Sequence, residues 1–119
     1  MAKKINFLTK ESKMIEKLPP APHLVRVLPN SYGWVDHRLL RKKILKKLTV
    51  NAMALYLILV CAADSNGVSF YGDTLLCCII GITSDDLLDA RNCLVENGLI
   101  IWERPFYQLL DLSDFVALQ

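Results

Sequence analysis

The chain has 119 residues, one domain's worth and enough to bury a modest core without covalent staples. An apolar fraction of 53% and a mean hydropathy of +0.31 require most apolar side chains to be buried or left as a surface for a partner, but the longest uncharged apolar run, residues 52–63, falls short of the roughly 20 residues of a membrane span. The net charge of +2 conceals a division: residues 1–50 carry twelve Lys/Arg against three Asp/Glu, a balance of +9, and residues 51–119 carry two against nine, a balance of −7. Such asymmetry points to a polyanion-binding arm or to pairing between the halves, within one subunit or across two.

Residues 1–17 are lysine-rich with a weak amphipathic pattern (Ile5, Leu8, Met14, Ile15). No apolar stretch follows the first lysines, which is not the pattern of a secretory signal, so the expectation is a cytoplasmic protein with no membrane partner. Leu18-Pro19-Pro20-Ala21-Pro22 cannot be helical and favours polyproline geometry, making residues 1–22 an arm and linker ahead of a single domain over 23–119. Residues 24–28 suit an edge strand, and Pro29 to Gly33 supply turn chemistry.

With Asp36 as N-cap, residues 36–48 read as a basic amphipathic helix. Leu40, Ile44 and Leu48 form its apolar stripe, Arg38, Lys42, Lys43, Lys46 and Lys47 spread over the opposite side, and Arg41 flanks the stripe. Thr49 or Asn51 caps the next helix, residues 51–63, which is apolar nearly all round and therefore central to the core. Asn66-Gly67 is a turn signal before the strand formers of residues 68–71. A helix over 73–80 stops at Gly81. Thr83 with Asp86 three residues on matches a capping box opening a helix over 84–97, with Leu87, Ala90, Leu94 and Val95 as its apolar face. Residues 99–103 and 106–112 read as two strands around Arg104-Pro105.

Cys61, Cys77, Cys78 and Cys93 show neither C-x-x-C nor Cys-to-His spacing suited to zinc, and each sits in an apolar run where a reduced thiol packs as a small hydrophobe. His23 and His37 belong to no nucleophile, metal or phosphate motif, so no enzymatic activity, metal or cofactor is expected. Trp34 and Trp102, with Tyr32, Phe106 and Tyr107, suit the core edge and sheet face.

Three features of residues 51–112 belong together: the Asn66-Gly67 turn into Val68-Ser69-Phe70-Tyr71, the Gly81-Ile82-Thr83 turn between two helices, and Asn97-Gly98-Leu99-Ile100 leading into the hairpin. With them the segment resembles a winged helix-turn-helix domain of the kind found in bacterial transcription regulators and plasmid or phage replication initiators. The resemblance implies a mainly α fold with a small antiparallel β-sheet, here extended by an N-terminal basic helix and arm, with residues 99–112 as the wing. It also implies that helix 84–97 lies in the DNA major groove.

The charges oppose that last implication. The solvent face of helix 84–97 is Asp85, Asp89, Asn92 and Glu96, and Arg91 is its single cation. Carboxylates repel phosphates, and DNA binding is driven by Lys and Arg displacing counterions. Double-stranded DNA is therefore expected to meet Arg38, Arg41, Lys42, Lys43, Lys46 and Lys47, and the resemblance adds Arg104 at the wing tip. On this reading the chain is a small DNA-binding regulator, or a replication or mobile-element accessory. The alternative is a winged helix that contacts protein instead, as a homodimer or with another partner.

Overall fold

The computed structural model describes residues 17–113 and divides the chain into two units, residues 1–31 and residues 32–119. Among the described residues of the first unit, the 3-10 turn Pro22–Leu24 closes with Leu24 N–H donating to the Ala21 carbonyl at 2.9 Å. Proline fixes φ and removes a donor, so the chain before it stays irregular. The edge strand expected over 24–28 does not form, and residues 23–31, expected to belong with the body, fall in this unit. The lysine-rich part of the arm, residues 1–16, lies outside the described residues.

The second unit is mainly helical with a small antiparallel sheet. Its elements are α1 (Arg38–Arg41), a 3-10 turn (Leu45–Lys47), α2 (Val50–Ala62), β1 (Val68–Ser69), α3 (Asp73–Ile80), α4 (Ser84–Glu96), β2 (Ile100–Glu103) and β3 (Phe106–Leu109). The sheet order is β1-β3-β2, with Val68 opposite Gln108, Ser69 opposite Tyr107 and Trp102 opposite Tyr107. None of the helices among the described residues is long and apolar enough to cross a membrane.

Local chemistry accounts for the boundaries. The Thr49 hydroxyl accepts the Ala52 N–H at 3.1 Å and opens α2. Thr83 and Asp86 make both halves of the capping box that opens α4. Gly81 closes α3 in the left-handed region at φ 83°, a conformation that side chains resist. β1 ends at Ser69, shorter than expected, because Phe70 leaves the ladder and sets its ring edge-on to Phe106 at 5.9 Å.

The core lies between α2 and α4 and is closed by the sheet. Ala52, Leu55 and Leu59 of α2 meet Leu87, Ala90 and Leu94 of α4, with Leu76, Leu99, Ile100, Tyr107 and Leu112 around them. Each fully buried leucine contributes about 1.5–3 kcal/mol of transfer free energy. Cys77 and Cys93 are half-buried at this core, but Cys61 and Cys78 are exposed, contrary to the expectation for buried thiols. Trp34 is 79% exposed, its ring meeting Tyr32 edge-on at 5.5 Å instead of lying at the core edge.

The continuous basic helix expected over 36–48 is broken. After one turn Ile44 N–H reaches back to the Leu39 carbonyl at 3.0 Å and Lys43 N–H to the Leu40 carbonyl at 3.1 Å, while Lys43 takes φ 60°. This is a Schellman closure with a lysine where glycine is usual. It brings Leu39 and Ile44, the pair such a closure places in contact, into the core. The buried set is therefore Leu39, Ile44 and Leu48, and Leu40, expected in the stripe, is 74% exposed.

Candidate functional site

The seven cations expected to contact nucleic acid do not form one surface. The Arg38 guanidinium grips Asp36 through Nε (3.1 Å to each carboxylate oxygen) and Nη2 (2.7 Å to Oδ2). It also donates to Ser113 Oγ at 3.1 Å and lies 3.5 Å from Asp111 Oδ1. Hydrogen bonds from Arg38 hold the Asp36 carboxyl below the usual carboxylate range, and the same pairing raises Arg38 further above its ordinary value. Lys42 Nζ donates to the carbonyls of Leu112 (3.1 Å) and Ser113 (3.2 Å). Arg38 and Lys42 thus clamp the chain leaving β3, and Arg38's charge is matched by carboxylates of its own chain.

Arg41, Lys43 and Lys46 are exposed and Lys47 is half-buried. Arg104 occupies the β2–β3 turn, its guanidinium 5.4 Å from the Trp102 ring centre. From Phe106 to Leu110, which extends the ladder by donating to the Leu99 carbonyl at 3.0 Å, the chain covers about 13 Å at strand rise. Arg104 therefore sits at the opposite end of the hairpin from the Arg38–Lys42 clamp.

The acidic helix holds what sequence reasoning missed. Arg91, the single cation between Asp73 and Glu96, is only 5% exposed. Its Nη1 donates to Asp73 Oδ1 at 3.0 Å and to Tyr107 Oη at 2.9 Å, and its guanidinium lies 3.8 Å over the Trp102 ring. Burial works against this charge, but the bonds to Tyr107 and Asp73 outweigh it and raise the pKa. Leu87, Ala90, Arg91 and Leu94 are the buried set, which is the i, i+3, i+4, i+7 spacing of one helix face. Val95, assigned to that face from the sequence, is 42% exposed instead. The spacing was the available signal for Arg91; its charge concealed it.

With Arg91 turned inward, the outer side of α4 presents Asp85, Leu88, Asp89, Asn92, Val95 and Glu96. On α3, Leu75, Cys78 and Ile79 are exposed. No exposed side chain from Asp73 to Glu96 carries positive charge.

Among the cavities that open on this unit, two are well defined. One, of about 290 Å³, lies at the turn end of the hairpin between Phe70, Tyr71, Asp73, Trp102, Arg104 and Pro105. The other, of about 220 Å³, is an apolar groove between the segment preceding α2 and one side of α2. Among the described residues no cluster of three His, Cys, Asp or Glu side chains is placed to hold a metal ion. Comparison with protein families, curated proteins and solved structures finds no match to this chain.

Proposed function

We propose that residues 32–113 are a winged helix-turn-helix domain whose helix-turn-helix face contacts protein instead of the DNA groove. The order α2, β1, α3, α4, β2, β3, with a tight Gly81–Thr83 turn and a terminal hairpin, supports the fold assignment. One observation carries the functional reading: the only cation of α3 and α4 is buried, and their exposed side chains are acidic, apolar or neutral polar, with no positive charge among them. A groove-reading helix needs the opposite, because phosphate attraction supplies most of the non-specific affinity. Acidic faces with apolar anchors suit protein partners, where complementary charge sets specificity and encounter rate.

Fluorescence anisotropy with a labelled duplex, titrated between about 50 and 200 mM salt, tests the reading. The expected result is that changing Asn92 or Asp89 to Ala leaves any duplex affinity unaltered. Duplex binding that weakens on Asn92→Ala would sink it.

A second reading keeps DNA as a partner through the segment before α2, as a regulator or a replication or mobile-element accessory. Its support is that Arg41, Lys43 and Lys46 are exposed and in no ion pair among the described residues. In the same titration this reading requires steep salt dependence, abolished by reversing those three charges.

A further inference from the structure

We propose that the domain associates head to tail with a second copy of itself, the outer side of α4 of one copy lying in the apolar groove beside α2 of the next. The inference rests on the protein-contact reading and names its partner. The groove is lined by Val35, Leu40, Leu45, Met53, Leu57 and Val60, and Leu40 and Leu57 are 74% and 57% exposed. Large apolar side chains left this open around a concave surface mark a contact site. Leu40 and Leu45 are followed directly by Arg41 and Lys46, both exposed, and exposed Lys43 lies between, so three cations flank groove-lining residues along the chain. The single carboxylate lining it, on Asp36, is already engaged by Arg38 at 2.7 Å.

The outer side of α4 is the complement. Leu88 and Val95, 47% and 42% exposed, stand seven residues apart, about 10 Å along one edge of the helix. Asp85, Asp89 and Glu96 run beside them. Two apolar anchors beside a row of carboxylates match an apolar groove whose lining residues are flanked by cations. The pairing also gives the division of charge between the two halves of the chain a use: each copy carries both members of the interface.

The surfaces cannot meet within one chain. The inner face of α4 packs on α2 through Leu87, Ala90 and Leu94, so its outer face points away from its own groove. Met head to tail, without the reciprocal contact of a two-fold dimer, the two surfaces make a heterologous interface, which closes into a ring or continues as a filament.

Sedimentation of the full chain against concentration and salt tests this. The expected result is a mass rising above the 13.5 kDa monomer with concentration, by an association that weakens several-fold as salt is raised. Leu40→Glu removes the groove and keeps the α4 surface; Leu88→Glu does the reverse. Each alone is expected to be monomeric, and an equimolar mixture to give a species of twice the monomer mass and nothing larger, because one intact interface remains per pair. A wild-type chain that stays monomeric at every concentration overturns the proposal, as does a mixture that stays monomeric while both variants keep the wild-type unfolding midpoint. Should either variant unfold, Arg41→Glu and Asp89→Lys, both at exposed positions, take their places: each alone is expected to be monomeric, and their mixture to associate beyond twice the monomer mass, because the two reversed charges complement one another; a mixture that stays monomeric overturns the proposal. Because sedimentation involves no nucleic acid, its failure is distinguishable from failure of the protein-contact reading in the duplex titration.

Discussion

Arg91 and Asp73 form a 3.0 Å ion pair that ties the middle of α4 to the first residue of α3. The same guanidinium bonds to Tyr107 on β3 and covers Trp102 on β2, so one side chain joins both helices to both strands of the hairpin. A cation placed where it fixes the angle between helices and sheet is no longer available to a ligand.

That pair should be costly to break. Asp73→Ala leaves a buried guanidinium with Tyr107 as its remaining hydrogen-bond partner, since Nε already has none. The expected loss is about 2–3 kcal/mol, measured by urea unfolding. Asp89→Ala, at an exposed position on the same helix, should stay within about 0.5 kcal/mol of wild type.

Lys43 holds φ 60° to close α1, a conformation that costs a side-chain-bearing residue about 1–2 kcal/mol. Lys43→Gly relieves that strain but gives the unfolded chain more freedom, about 0.4–1 kcal/mol in the other direction. The net expectation is a gain between zero and about 1.6 kcal/mol, seen as a raised thermal midpoint. A loss of stability would mean that the left-handed residue is not strained.

In acid, the Asp36 and Asp111 carboxyls control a share of the stability. Asp36 is held low first by its side-chain bond with Arg38, and Asp111 first by its hydrogen bond with Ser113. For a carboxyl whose folded pKa is depressed, the contribution is complete above the unfolded value of about 4 and is lost as pH falls through the folded value. Unfolding midpoints should therefore decline below about pH 4, less steeply in Asp36→Asn.

In alkali the sign reverses. Burial raises the Tyr107 phenol, with the Arg91 hydrogen bond pulling against it, and burial likewise raises Tyr56. The neutral phenols stabilise the fold fully below about pH 10, and that contribution is lost as pH rises through their folded values. Tyr107→Phe should flatten the alkaline decline of the midpoint and leave the part due to Tyr56.

Most of the fold was legible because short-range chemistry marks its joints. Thr49, the Thr83–Asp86 box and Gly81 bound the helices, and the periodicity of α2 and α4 orients them. The segment before α2 was not legible. Leu40, Ile44 and Leu48 satisfy a helical wheel, and nothing local announces that Lys43 will turn left-handed and exchange Leu40 for Leu39. Two of the seven expected site residues are also diverted by contacts remote in sequence: Arg38 and Lys42 reach residues 111–113, which no spacing rule connects to them. Arg91 is the instructive case. Its position repeated the buried period, and its charge argued for the surface; the carboxylate of Asp73 and the hydroxyl of Tyr107 let the period prevail.

The most direct test of the central claim is duplex affinity measured by anisotropy at about 50 mM salt for the wild type, for Asn92→Ala, and for a variant with Arg41, Lys43 and Lys46 reversed. If the outer side of α4 faces protein, Asn92→Ala and wild type behave identically, whatever the third variant does. Duplex binding that drops on Asn92→Ala, with the charge-reversed variant unaffected, would place α4 in the groove and contradict it.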